Sequence, residues 1–307
     1  MTALFQDWRG LPEAARGATV ALGNFDGVHL GHRAVLAAAH AGRPDRPLAV
    51  LTFEPHPREH FRPDDPPFRL TLLPAKLALF SALGCAFVLA IRFDEAFAAM
   101  PAEAFVQEVL HGALGASHLS CGHDFAFGHR RGGDVAMLAR EAEALGIGMT
   151  VVPPVTDEDG PISSTAIRRL LQDGYPERAT HRLGRPWEIF GPVSHGDKRG
   201  RTIGFPTANV PLGRQLEPAR GVYAVQVALP DGRVVPGVAN IGARPTVGGT
   251  ESRVEAHLFD FAGDLYGQEV GVRLIRFLRA EKKFSGLEEL TAQIAADAAA
   301  ARKLLGA

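Results

Sequence analysis

The segment Gly23-Asn24-Phe25-Asp26-Gly27-Val28-His29-Leu30-Gly31-His32 gathers the residue types that chemistry at a phosphate needs. Glycines at 23, 27 and 31 let backbone come close to a ligand, and both imidazoles can point at one phosphoryl group. As hydrogen-bond donors, His29 and His32 would stabilise the negative charge that builds up during displacement at phosphorus. The apolar run Ala18–Leu22 precedes the segment and an alanine-rich helical pattern follows it. The glycines therefore fall in a strand-turn-helix, the first turn of a nucleotide-binding sheet, where free N–H groups and the helix dipole favour phosphate.

A second set lies at Ile162-Ser163-Ser164-Thr165-Ala166-Ile167-Arg168. A lone serine there would be an ordinary helix cap. Three hydroxyls at a helix start, with a guanidinium one turn on, make an anion site suited to a leaving pyrophosphate.

A third set begins at Ser194. Gly196, Gly200 and Gly204, interleaved with Lys198, Arg199 and Arg201, form a flexible basic loop able to fold over phosphates. It is not a Walker P-loop, because no Gly-Lys-Ser/Thr follows. Thr207 and Asn209 come next; in an extended segment their spacing puts both oxygens on one face, as hard ligands for Mg²⁺. In Arg253–Phe261, Val254, Ala256 and Leu258 share one face, whereas Glu255 and His257 share the other with Phe259. A carboxylate on an otherwise apolar strand is either a paired core charge or a base, and phosphoryl transfer to a hydroxyl needs a base near the acceptor. Glu255 is the candidate.

The elements that must position these residues change rhythm midway. Through about residue 180, strand-like runs (18–22, 46–53, 85–93, 117–122, 148–155) alternate with helical patterns, which predicts a parallel sheet covered by helices. Pro74 and Pro101 read as first-turn prolines, and Gly112 and Gly146 as glycines that end helices. Residues 62–68 read as a proline-rich loop. Beyond residue 184, period-two segments dominate, with a hairpin signal at Asp231-Gly232. The C-terminus turns helical, with Leu287, Leu290, Ile294 and Leu304 at core spacing, Ser285 and Glu288 as a capping box, and Gly306 as its stop. The boundary is set so that one domain covers residues 1–182 and a second covers 183–307. The fold class is an α/β domain with a Rossmann-like sheet, followed by a small antiparallel barrel with one closing helix.

At 307 residues, 46% hydrophobic and 22% charged, the chain suits two ordinary globular domains. Lys+Arg 33 against Asp+Glu 34 leaves a net charge of -1 and no electrostatic footprint for nucleic acid or a membrane surface. Cys85 and Cys121 read as reduced core residues without zinc or disulfide spacing. The N-terminus has no signal-peptide core, and the apolar window Leu77–Ile91 is short for a bilayer and split by Gly84, so the expected location is the cytoplasm.

Taken together, G-x-F-D-G-x-H-x-G-H at 23–32, Thr52-Phe-Glu-Pro-His-Pro, Cys121-Gly-His-Asp-Phe-Ala-Phe-Gly and Ile162-Ser-Ser-Thr-Ala-Ile-Arg closely resemble the adenylyltransferase half of bacterial bifunctional FAD synthetases. The second half resembles flavokinases end to end, through Leu183-Gly-Arg-Pro, the stretch from His195 to Val210, Val254-Glu-Ala-His-Leu-Phe-Asp-Phe and Phe277-Leu-Arg-Ala-Glu-Lys-Lys-Phe. The resemblance implies that ATP lies over residues 23–32, with Ser163, Ser164, Thr165 and Arg168 on its triphosphate, and that Asp124 and Phe125 line the nucleotide and flavin site. His56, in a loop after a strand end, is a further candidate for the flavin pocket. It further implies a six-stranded Greek-key barrel in which Thr207 and Asn209 bind MgATP and Glu255 deprotonates the ribityl 5′-hydroxyl, with Gly196, Lys198, Gly200, Arg201 and Gly204 covering the nucleotide. The implied reactions are riboflavin to FMN and FMN to FAD, each using ATP and Mg²⁺, the second releasing pyrophosphate without a covalent enzyme intermediate. The implied partners are riboflavin, FMN, FAD and ATP, with room for self-association and none for nucleic acid or membrane. A regulator that binds flavin with inactive sites is the alternative from another class; the retained base and histidines argue against it. His123 and His129 are spaced unlike a metal clamp, and His40, His60, His111, His118 and His181 read as surface or core residues.

Overall fold

The structure, a computed structural model, describes residues 2–195, 205–246 and 249–307. The chain divides into two compact units, one of Met1–Pro66 and Leu73–Ser163, the other of Pro67–Leu72 and Ser164–Ala307.

The first unit is built on six parallel strands, β1 (Ala3–Phe5), β2 (Thr19–Leu22), β3 (Leu48–Glu54), β4 (Phe87–Arg92), β5 (His118–Gly122) and β6 (Gly148–Val152), in the order β1-β4-β3-β2-β5-β6. Its helices are α1 (Leu30–Gly42), α2 (Pro57–Phe61), α3 (Leu73–Ala82), α4 (Glu95–Ala98), α5 (Ala102–Ala104) and α6 (Val135–Ala144). Alternate strand residues feed two cores. Val20, Leu22, Leu51 and Leu89 pack on one face with Leu110 and Leu138, and Ala21, Val50 and Val88 on the other with Leu36 and Phe80. Burial on both faces is what a wholly parallel sheet requires. Strand order reverses at β2, whose neighbours β3 and β5 lead away in opposite directions, so the crevice at the carboxyl end of β2 is the ligand position for this topology. Cys85 and Cys121 are free and buried, as expected, and burial pushes both thiols up to about 12. A two-stranded ribbon, β7 (Thr156–Asp157) and β8 (Gly160–Pro161), leads to Ser163.

The second unit opens with α7 (Ser164–Gln172) and α8 (Pro176–Leu183). Six antiparallel strands follow: β9 (Trp187–Pro192), β10 (Ala208–Pro211), β11 (Gly221–Ala228), β12 (Val234–Thr246), β13 (Gly249–Leu258) and β14 (Glu269–Ala280), in the order β10-β13-β12-β11-β14-β9. Ser194, just past β9, donates its amide to the Asn209 carbonyl at 2.7 Å, which draws the two edge strands together. The sheet is thereby a nearly closed barrel. Helix α9 (Leu287–Leu305) lies on its outer face, and Ala298 and Ala301 pack against Val222, Ala224 and Val238. Residues Pro67–Leu72 belong to this unit: the Leu70 carbonyl accepts the Trp187 indole N–H at 2.8 Å, and the Arg69 carbonyl accepts the Leu216 amide at 2.9 Å.

Four local expectations are corrected. Gly112 does not end its helix, because α5 continues as a π-helical stretch, Phe105–Ala113, whose wider turn brings the Gln107 carbonyl 3.0 Å from where a Gly112 Cβ would stand. The left-handed glycine is Gly115, at φ 52°. Pro101 is the N-cap of α5 rather than a first-turn residue. The Ser285 partner is Glu289, whose carboxylate accepts both the Ser285 amide and hydroxyl, because the helix begins two residues later, after Gly286. Leu287 and Leu304 are 64% and 50% exposed, since α9 turns its small residues and Asp297 toward the sheet.

Candidate active sites

The first site forms where β2 ends. Phe25 and Val28 sit at φ 50° and 44°, a left-handed conformation that is costly for a β-branched residue, and Gly27 lies between them at φ 90°. This sharp turn delivers His29 as the N-cap of α1, its Nδ1 accepting the His32 amide at 3.2 Å. A ring nitrogen that accepts carries no proton, which assigns the hydrogen of a neutral His29 ring to Nε2. The two imidazoles stack with centroids 3.6 Å and planes 17° apart, and Phe25 meets His32 edge-on at 5.2 Å. A Cβ on Gly31 would stand 3.1 Å from the His29 ring and 3.5 Å from the Ile162 carbonyl. A side chain at 31 would thus crowd the His29 ring and press on the stack. Gly23 is similarly confined, with the Phe25 ring 3.3 Å from its virtual Cβ. Asn24 turns its carbonyl inward to Thr52 Oγ1 at 3.1 Å, and Asp26 is buried.

Around this site the carboxyl ends of β3, β4 and β5 carry aromatic rings. Phe53 meets Phe93 and Phe97, Phe97 meets Phe105, Phe105 meets Phe127, and Phe127 stacks on Phe125 at 5.6 Å with planes 19° apart. Of this run, sequence reading had singled out Phe125 alone. Asp124 lies beside it, its Oδ1 3.2 Å from the virtual Cβ of Gly122. His56 acts as the N-cap of α2, accepting the Arg58 amide at 3.1 Å while Glu59 accepts the His56 amide at 3.0 Å.

Ser163 closes the first unit, whereas Ser164, Thr165 and Arg168 belong to α7 of the second. There the Arg168 Nε donates to the Phe68 carbonyl at 2.8 Å, and its guanidinium lies 5.1 Å from the centre of the Phe68 ring.

The other site is a row across the barrel's outer face. Asn209 of β10 is directly opposite Glu255 of β13, and Glu255 is directly opposite Asn240 of β12. Directly opposed residues of antiparallel strands point to the same side. The row continues through Val222 of β11 to Arg279 of β14. Arg279 forms a bidentate pair with Asp297 of α9, at 2.7 to 3.1 Å, and Gln293 also donates to Asp297 at 3.0 Å. Helix α9 thereby covers the β11–β12–β14 part of the face and leaves Glu255 half-buried beside it. The Asn209 amide, 5% exposed, lies 3.5 Å from the Thr207 hydroxyl, and His257 Nδ1 is 2.8 Å from the Pro206 carbonyl. Gly196, Lys198, Gly200, Arg201 and Gly204 lie outside the described residues. Asn240 escaped sequence reading because strand register, not chain proximity, brings it to Glu255.

Parallel-sheet phosphate turn and antiparallel barrel together define a two-part phosphate-transfer enzyme, a nucleotidyltransferase joined to a kinase. A family model for FAD synthetase matches residues 11–166, and one for riboflavin kinase matches residues 183–305. The bifunctional riboflavin kinase/FMN adenylyltransferase of Escherichia coli (strain K12) is 45% identical over 292 residues, spanning 94% of this chain and 93% of that protein. Its counterpart in Haemophilus influenzae is 42% identical over 299 residues, covering 96% and 97%, and that of Bacillus subtilis (strain 168) 39% over 296, covering 94% and 92%. A crystal structure described as a macrolide-efflux protein from Streptococcus pneumoniae matches with a TM-score of 0.84 at 33% identity, over 96% of this chain and 97% of that one. Among the described residues no helix is long and apolar enough to cross a membrane. The chain belongs to the bacterial bifunctional FAD synthetases.

Proposed function

We propose that this FAD synthetase divides its two ATP-dependent reactions between two separate sets of side chains, residues 1–182 carrying FMN adenylylation and 183–307 riboflavin phosphorylation. The edges of the two family matches support that division. In the adenylyl step, a phosphate oxygen of FMN attacks the α-phosphorus of ATP, and the bond to pyrophosphate breaks. His29 Nε2–H and the stacked His32 donate to the phosphoryl oxygens as charge accumulates there, and no nucleophilic side chain takes part. Gly23 to Gly31 allow the nucleotide to approach the backbone, and Ser163, Ser164, Thr165 and Arg168 hold the departing pyrophosphate. The aromatic run ending at Phe125, with Asp124 and His56, supplies a flat apolar wall for the isoalloxazine.

In the kinase step, Glu255 accepts the proton of the ribityl 5′-hydroxyl as that oxygen attacks the γ-phosphorus and the bond from that phosphorus to the departing ADP breaks. Asn209, held next to Thr207 and opposite Glu255, carries this assignment. Asn209 Nδ2 donates toward Thr207 Oγ1 at 3.5 Å, and the amide and hydroxyl oxygens of the pair are two hard, uncharged donors with no carboxylate cage, which would suit a Mg²⁺ ion held chiefly by phosphate and water. The ion, when bound, offsets charge on the transferring phosphoryl group. The basic residues Lys198 and Arg201, with Gly196, Gly200 and Gly204, would cover the nucleotide. The proposed location is the cytoplasm.

The test is chromatography of fluorescent flavins after the chain is incubated with riboflavin, ATP and Mg²⁺. FMN appears first and FAD later, and each step is abolished separately by Glu255→Ala and by the double change at His29 and His32. Bound but unconverted flavin with folded protein would refute the reading.

A further inference from the structure

Lys76 is completely buried in α3, a helix whose other residues are Leu, Ala and Phe apart from Pro74 and Ser81. Lysine is almost never fully buried without a specific partner, and an apolar residue would fill this position without the desolvation of an ammonium. Its Nζ donates to the Asn24 carbonyl at 2.9 Å, the same oxygen that receives the Thr52 hydroxyl at 3.1 Å. One turn further along α3, Phe80 meets the Phe25 ring edge-on at 5.7 Å. Helix α3 therefore grips two consecutive residues of the turn, one by its carbonyl and the other by its side chain.

We infer that Lys76 is a positioning residue for adenylyl transfer: its ammonium, with Thr52, fixes the Asn24–Phe25 backbone so that His32, and through the stack His29, meets the nucleotide correctly. This rests on the reading that residues 23–32 hold the phosphates of ATP. The physical need is plain. Phe25 and Val28 adopt left-handed angles that side chains resist, and such a turn keeps its shape only when its surroundings over-determine it. Two donors converging on one carbonyl supply that constraint immediately upstream of Phe25, whose edge seats the His32 ring. Because donors aimed at a transferring phosphoryl group act mainly in the transition state, loosening them lowers kcat more than it weakens ATP binding.

The experiment uses the full chain with Lys76→Met, which retains the length of the side chain and its packing and deletes the ammonium. FMN formation from riboflavin, in the same molecules, is the internal control. The expected result is a kcat for FAD formation from supplied FMN lowered about 10- to 100-fold, with KM for ATP within about threefold and Tm and FMN formation unchanged. Unchanged FAD formation overturns the inference. So does a loss shared by both activities and Tm together with a Thr52→Val variant of full FAD-forming activity, since that pattern leaves Lys76 a folding role only. Should Lys76→Met not fold, Thr52→Val decides alone: a severalfold fall in kcat supports the inference and full activity ends it. A His29→Ala variant separates the two levels of the argument. If it forms FAD normally, the phosphate-site reading itself fails; if it is inactive while Lys76→Met is not, only the positioning role does.

Discussion

Asn209 and Glu255 face each other across β10 and β13, and Asn240 faces Glu255 from β12. The register thus sets an amide residue on either side of the carboxylate residue, and neither amide takes up a proton near neutral pH. Replacing Glu255 with Gln preserves the shape of this row and removes only the base. FMN formation should fall by about 10²- to 10⁴-fold, the usual contribution of a general base. FAD formation from supplied FMN should be unaffected. Loss of both activities would show that the substitution damages the chain at large.

His29 has two roles that mutation can separate. It caps α1 through Nδ1, and in the proposed adenylyl step its Nε2 donates to the phosphoryl group. His29→Ala loses both, and should lower stability by about 0.5–2 kcal/mol and FAD formation by about 10²- to 10³-fold. His29→Asn retains a capping oxygen. Its thermal unfolding should match the parent while FAD formation stays low; recovery of activity would mean that the cap alone matters.

Acid should weaken the first unit through His118. Its ring hydrogen-bonds Thr150 at 2.9 Å and is enclosed by Gly42 and Gly148, neither of which leaves room for a Cβ. Burial, with the nearby Arg43 charge, lowers its pKa below the usual histidine value. The unfolded chain then binds a proton more readily than the folded one. The contribution of His118 to stability is intact above the unfolded value near about 6.5 and is lost progressively as pH falls below it. Unfolding of the parent in urea should show that slope between pH 7 and pH 5, and His118→Gln should reduce it. An equal slope in both proteins would exonerate His118.

The Arg279–Asp297 pair makes the opposite point about buried charge. Asp297→Ala removes the bidentate partner of a partly exposed guanidinium that keeps the Ala280 carbonyl, and should cost about 1.5–3 kcal/mol. On warming, FMN formation should disappear at a lower temperature than FAD formation, because α9 leaves the barrel face. Replacing both residues with Met and Leu should restore most of the lost stability. If the single variant keeps its kinase activity to the parent's temperature, the pair contributes little.

Much of this was legible in local pattern. Glycine and histidine spacing announced the turn at 23–32, and the change from alternating helices and strands to period-two segments announced the second fold. What escaped depended on pairing or on small shifts of phase. Asn240 becomes a neighbour of Glu255 only through strand register. Lys76 directly precedes the apolar window Leu77–Ile91, and only the packing of α3 shows it inside. The π-helical stretch displaced the stop from Gly112 to Gly115, and α9 buries alanines where leucine spacing had pointed to a different stripe. A three-residue strand such as β1 carries too little pattern to be read at all.

The barrel's closure runs through Asn209, whose carbonyl receives the Ser194 amide while its side chain lies in the row with Glu255. Backbone and side chain of one residue thus belong to the closure and to the proposed site at once. Any fluctuation that unzips this seam also disturbs the row proposed to pass on the γ-phosphate. By linkage, a nucleotide that steadies Asn209 also fastens the seam. Exchange of the Ser194 amide hydrogen with solvent is therefore a gauge of occupancy that needs no turnover, slowing as nucleotide is added.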